Sequence, residues 1–227
     1  MFENKLDHPW DLHPSDAVAL QRRLAERVIR EPLQQAVAIV GGVDASYRRG
    51  IARAAVVALS YPGLELLNYA VATRAIDYPY VPGLLSFREA PAVLEALESL
   101  QTSLDLLIFD GHGIAHPRRF GLASHVGLLV DLPTVGCAKS RLCGSYEEPG
   151  RQRGDFTHLW DDGEIIGAVL CTRSGVRPVF VSIGHRVDLP TAVAYVLGCG
   201  GGYRLPEPTR WAHRIAGGWR PTAGLPG

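Results

Sequence analysis

The chain has 227 residues, 47% apolar and 20% charged, a balance that suits one folded α/β domain over residues 1–227 and excludes a disordered or low-complexity chain. The formal charge is zero, so composition alone predicts no general attraction to nucleic acid. The distribution is uneven: residues 111–153 hold six basic against three acidic side chains, and residues 203–220 hold four arginines against Glu207, as in a neutral protein with one basic face.

Cys137, Cys143, Cys171 and Cys199 lack zinc-site spacing, and free, mostly buried thiols are expected. No amino-terminal apolar stretch reads as a secretion signal and no run approaches membrane-spanning length, so a cytoplasmic protein with no membrane partner is expected. A monomer is the simplest starting state, with a flexible tail from about residue 217.

In chain order, Pro14 and Ser15 precede Ala17, Leu20, Leu24 and Val28, apolar positions that share one face of a helix. "AVAIVGGVDASY", "IARAAVVALSY" and "LELLNYAVATRAI" follow as three strands separated by "RRG" and "YPG" turns. Links that short imply an antiparallel meander, since parallel pairing needs a longer crossover. Residues 90–101 read as a helix striped by Val93, Leu94, Leu97 and Leu100, and "LDLLIFD" as a central strand ending at Asp110. That strand, helix, strand order makes the pairing parallel. A further helix and a short strand ending near Lys139 come next, then a hairpin of "EIIGAVLCT" and "VRPVFVSIG", and a final helix at residues 189–198. The expected fold is therefore α/β: a mixed sheet of three antiparallel strands followed by parallel strands, flanked by helices, an order similar to the ribonuclease-H-like architecture.

Asp44 follows a glycine pair at the end of the first strand, and Asp110 ends the most apolar one. If those strands are neighbours, both carboxylates project near one sheet edge, and Glu89 can enter from a helix start. A buried carboxylate is costly unless paired or metal-bound, and a hard divalent cation such as magnesium or manganese favours oxygen ligands. Taken singly, each has an ordinary reading as well: Asp44 in a turn, Glu89 at a helix cap, Asp110 at a strand end.

Across "GGVDASY", "DYPYVPGLLSFRE", "LLIFDGHGIAHPRRFGLASHVG", "TVGCAKSRL", "VFVSIGH" and "YRLPEPTRWAH" the chain resembles the endonuclease V, or deoxyinosine 3′ endonuclease, family. The resemblance implies Mg²⁺-dependent hydrolysis, with Mn²⁺ as an alternative, of the second phosphodiester bond 3′ to hypoxanthine in damaged DNA. It places the metal carboxylates on Asp44, Glu89 and Asp110, an active-site lysine on Lys139 and an additional histidine near the metal on His213. Inosine-containing RNA stays open as a second substrate.

For recognition, Pro79 and Pro82 restrict the backbone around Tyr80, so its ring can be held toward nucleic acid. The family's wedge loop resembles this segment, although a Tyr80 packed on the core is the other reading. Backbone groups around Gly83, Leu85, Gly111, His116 and Gly121 are candidates for reading the oxo group and protonated ring nitrogen of hypoxanthine, because glycine allows close approach. Arg88, Arg118 and Arg119 flank these loops and can grip phosphates, a track that Arg204, Arg210 and Arg214 extend.

Overall fold

The computed structural model describes residues 8–221. The expected meander forms from β1 (Ile39–Arg48), β2 (Ile51–Ser60) and β3 (Leu66–Ala75), paired antiparallel in that order. Arg49 and Gly50, both at positive φ (51° and 76°), make the two-residue turn between the first two strands, a backbone whose twist matches that of a hairpin. Helix α2 (Leu85–Ser99) then crosses over to β4 (Leu106–Phe109), which pairs parallel with β1, and α3 (Leu122–Val130) crosses to β5 (Thr134–Ala138), parallel with β4.

The remaining strands, β6 (Phe156–Asp161), β7 (Glu164–Leu170) and β8 (Val179–His185), complete one eight-stranded sheet ordered β3-β2-β1-β4-β5-β8-β7-β6. Alternation along β4 shows how the sheet divides two cores. Leu106 and Ile108 point to one face, which is covered by α4 (Leu189–Gly198) and α5 (Glu207–Ala216). Leu107 and Phe109 point to the other, covered by α2 and α3. Helix α1 (Pro14–Ala25) packs outside α2 and α3 through Leu20, Leu24, Phe87, Phe120 and Leu128. The cysteines are free, and burial pushes the Cys199 thiol up to about 12. Among the described residues no helix is long and apolar enough to cross a membrane.

Several details differ from the sequence-based expectation. Helix α2 begins at Leu85 rather than at 90, because Pro91, which suits a first turn, is accommodated inside the helix. Asp44 lies within β1, which continues to Arg48; what ends beside it is the pairing with β4, at Val43 and Phe109. Strand β6 escaped notice because Phe156 and Trp160 are exposed. Helix α5 lies beyond the final helix expected at 189–198; it opens at Pro206 and Pro208, since proline is tolerated at a helix start. The helix at 189–198 is therefore followed by another, and Trp219 folds back onto Trp211, with ring centroids 5.4 Å apart, which moves the start of any free tail beyond it. Lys5 and residues 222–227 lie outside the described residues.

Candidate active site

The site is made by the mismatch in length between β1 and β4. The Asp110 amide donates to the Val43 carbonyl (2.9 Å), the last rung before β4 ends, so Asp44 and Asp110 sit side by side where the sheet opens. Even-numbered residues of β1 face α5, and Gly42 decides how close that helix comes: a Cβ there would stand 2.0 Å from the Pro208 carbonyl oxygen. With α5 seated on bare backbone, His213 reaches Asp44 (Nδ1 to Oδ2, 2.7 Å) and the Ser46 hydroxyl donates to the Ala216 carbonyl (2.7 Å). Three successive positions on one strand face thus meet one helix. From the other side, Lys139 follows β5 and its ammonium pairs with Asp110 Oδ2.

Ligand atoms of Asp44, Asp110 and His213 all lie within 4.8 Å of one another. The carboxylates are nearly enclosed, their side chains 11% and 9% exposed, whereas His213 is 61% exposed and open to an incoming group. Burial, then the neighbouring Asp110, raises the Asp44 pKa against the opposing pull of His213. Asp110 Oδ2 is buried, and the Lys139 ammonium is its charge partner. Two crowded carboxylates beside an imidazole form a donor set that fits a divalent cation such as Mg²⁺ or Mn²⁺.

Glu89 stands outside that compact set. It is buried on α2, and burial, reinforced by Asp44 and Asp110, pushes it up to about 8 against the opposing influence of the nearby Tyr47 hydroxyl. The structure therefore brings together Asp44, Asp110, Lys139 and His213 directly and sets Glu89 behind them, electrostatically coupled to both aspartates.

Of the recognition residues, Tyr80 projects with 72% of its surface exposed, and Pro82 and Leu85 are exposed as well. The Arg88 guanidinium lies 5.6 Å from the Tyr80 ring centroid and 5.5 Å from that of Tyr47, and its buried Nε has no hydrogen-bond partner. Gly83, at φ 78°, offers a carbonyl that is already taken: Gln21 (3.0 Å), His116 (3.0 Å) and Arg118 (2.6 Å) all bond to it. His116 is thus a buried clamp between two loops rather than a free reader, and Arg118 spends its fork on Gly83 and Gln21. The Gly121 amide donates to Gly113, and its α-carbon packs on the His112 carbonyl, while Gly111 is half-buried beside Asp110. Arg119 is held by Asp161 and Glu164 at 2.8 and 2.7 Å, which removes it from the expected phosphate grip.

The C-terminal arginines are engaged as well. Arg204 donates to the carbonyls of Lys139, Arg177 and Pro178, Arg210 stacks on Tyr203, and Arg214 lies 3.8 Å over Trp219. Sequence reasoning passed over Tyr47 and Gln21; Tyr47 closes the "GGVDASY" segment, and that position beside Asp44 was the signal available.

The endonuclease V family model matches residues 22–214. Endonuclease V of Roseiflexus sp. (strain RS-1) is 55% identical over 215 residues, which cover 95% of this chain and 97% of that protein. Endonuclease V of Methanothrix thermoacetophila is 52% identical over 209 residues, covering 92% and 93%. Among solved structures, endonuclease V from Streptomyces avermitilis matches with a TM-score of 0.88 at 44% identity, covering 94% of this chain and 96% of that one. Ciona intestinalis endonuclease V, solved in complex with DNA containing an inosine followed by a ribo-adenosine, matches with a TM-score of 0.80 at 28% identity, covering 89% and 94%.

Proposed function

This chain belongs to the endonuclease V family, and from that premise we infer that it is a metal-dependent endonuclease that recognises deoxyinosine in damaged DNA and hydrolyses the second phosphodiester bond 3′ to it. The observation that carries this reading is the meeting of Asp44, Asp110 and His213 within 4.8 Å at one sheet edge, with Lys139 against them.

Asp44, Asp110 and His213 would hold the cation, with Glu89 as the third carboxylate behind them. When bound, a divalent cation supplies positive charge against the phosphate and acidity to the attacking water. The chain's own groups supply the rest. The Lys139 ammonium is aimed by Asp110 and, being 43% exposed, can face a phosphate oxygen and offset charge that grows in the transition state. Exposed His213 lies on the open side, where it can orient the phosphate or the water. Tyr80 fills the space left by the extruded base, a step made easier by the weak pairing of a deaminated base. The triple anchor on Gly83 fixes the loop that carries this wedge, so little order has to be gained on binding.

The test compares identical labelled duplexes carrying adenine or inosine, with Mg²⁺ and with chelator. A metal-requiring nick to the 3′ side of inosine is expected. Equal cleavage of undamaged duplex, or release of free base without a nick, overturns the reading. Asp110→Ala should keep substantial binding yet lose about 100- to 1,000-fold or more in cleavage rate, the scale of losing one charge-stabilising group. A ribo-adenosine placed 3′ to the inosine, as in the complex of the Ciona protein, tests whether a ribose is accepted beside the lesion.

A further inference from the structure

Tyr47 lies three positions beyond Asp44 on β1, past the end of the β4 pairing but still paired with Ala52 of β2, and its side chain meets Arg88 of α2. Its ring, 40% exposed, lies 5.5 Å from the Arg88 guanidinium, and the Tyr80 ring lies 5.6 Å from the same guanidinium. Its hydroxyl neighbours the buried Glu89 carboxyl, the residue next to Arg88 on the same helix turn, and each group shifts the other's titration. One tyrosine therefore reaches both halves of the enzyme: its ring meets the guanidinium that also meets the exposed wedge, and its hydroxyl neighbours the Glu89 carboxyl.

We propose that Tyr47 is a positioning residue that couples wedge engagement to the active site, its ring fixing Arg88 beneath Tyr80 while its hydroxyl aims the Glu89 carboxyl. This rests on the endonuclease reading above. Two features make the coupling physical. A single rigid ring with two torsions links the contacts, so displacement at one end is felt at the other. The buried Arg88 Nε is unpaired, an arrangement that costs free energy until a group arrives to accept from it. A phosphate oxygen near the lesion is such a group. Binding would then draw Arg88 toward the nucleic acid and carry Tyr47, and with it Glu89, into place.

The experiment uses the full chain with Tyr47→Phe and Tyr47→Leu. Duplex binding and base extrusion are followed in chelator, with 2-aminopurine beside inosine, and single-turnover cleavage is followed in saturating Mg²⁺. Tyr47→Phe keeps the ring beside Arg88 and loses the hydroxyl, so binding and extrusion should stay within twofold of wild type while cleavage slows about tenfold, the scale of leaving one buried polar group without its partner. Tyr47→Leu should impair extrusion as well. Phe cutting at the wild-type rate, or both variants losing extrusion and cleavage in proportion to a lowered melting temperature, overturns the proposal. A wild-type protein that fails to nick inosine duplex sinks the endonuclease reading instead, so the two failures are distinct.

Discussion

His213 Nδ1 lies 2.7 Å from Asp44 Oδ2 although 169 positions separate them in the chain, and the contact exists because α5 folds back along β1. An exposed imidazole on an enclosed carboxylate can share a cation with it. His213→Ala should therefore raise the Mg²⁺ concentration for half-maximal cleavage by about 10- to 100-fold, the range seen when groups that orient a metal site are removed. Titration of Mn²⁺ by calorimetry should show the same loss without any nucleic acid present. An unchanged metal requirement would place His213 outside the cation's reach.

Gly42 makes that contact possible by having no side chain. Alanine there sets a methyl 2.0 Å from the Pro208 carbonyl oxygen, so α5 must lift from the strand. Gly42→Ala should cost about 1–3 kcal/mol, as overpacking does, and should raise the metal requirement in parallel because His213 lifts with the helix. Thermal melting and the Mg²⁺ titration measure the two effects. A destabilised variant with normal metal dependence would show that the His213 end of α5 stays in place on its own.

What the sequence disclosed follows from what patterns can encode. The run Leu106–Phe109 is buried on both faces, and a charge directly after it stands out, so Asp110 was legible. The meander was equally so, since Arg49–Gly50 demands a tight turn. Partners in space were not. Nothing in the spacing of Arg119 announces Asp161 and Glu164, 42 and 45 positions away, and so a phosphate ligand was expected where an ion-pair cluster stands. Helix α5 opens with prolines, so its histidine was identified through family resemblance and not through periodicity. Glu89 was expected as an equal member of the carboxylate trio, but its place on the second turn of α2 sets it back from the compact ligand set.

Tyr80 should act on the lesion and not on the fold, because 72% of it is exposed and the Arg88 guanidinium lies 5.6 Å from its ring centroid. Tyr80→Ala should weaken binding to inosine duplex by about 1–3 kcal/mol, the worth of one base stacked on an aromatic ring. Affinity for undamaged duplex and the melting temperature should hardly move. An equal loss on both duplexes would make Tyr80 a general backbone contact.

The buried His116 gives the protein a defined sensitivity to acid. Its Nε2 bonds to the Gly83 carbonyl at 3.0 Å and its Nδ1 accepts from the Arg118 amide at 3.1 Å, which fixes the neutral tautomer and leaves Nδ1 no room for a second proton. Burial, then repulsion from Arg118, pushes the ring down to about 4 from 6.5. Because the folded value is the depressed one, the unfolded chain takes up a proton that the folded chain refuses once pH falls below 6.5. Stability contributed by neutral His116 is thus complete above pH 6.5 and declines toward pH 4, at about 1.4 kcal/mol per pH unit. Burial lowers His125 and His185 in the same sense, whereas Glu89, raised to about 8, works in the opposite one, gaining a proton on folding. Comparison of wild type with His116→Gln cancels these shared groups. The stability advantage of wild type, measured by urea unfolding, should be constant between pH 8 and 7 and shrink steadily from about pH 6 to 4.5. An advantage independent of pH across that window would mean that the ring is protonated in the folded state, and the clamp on Gly83 would then have to be rebuilt around an imidazolium.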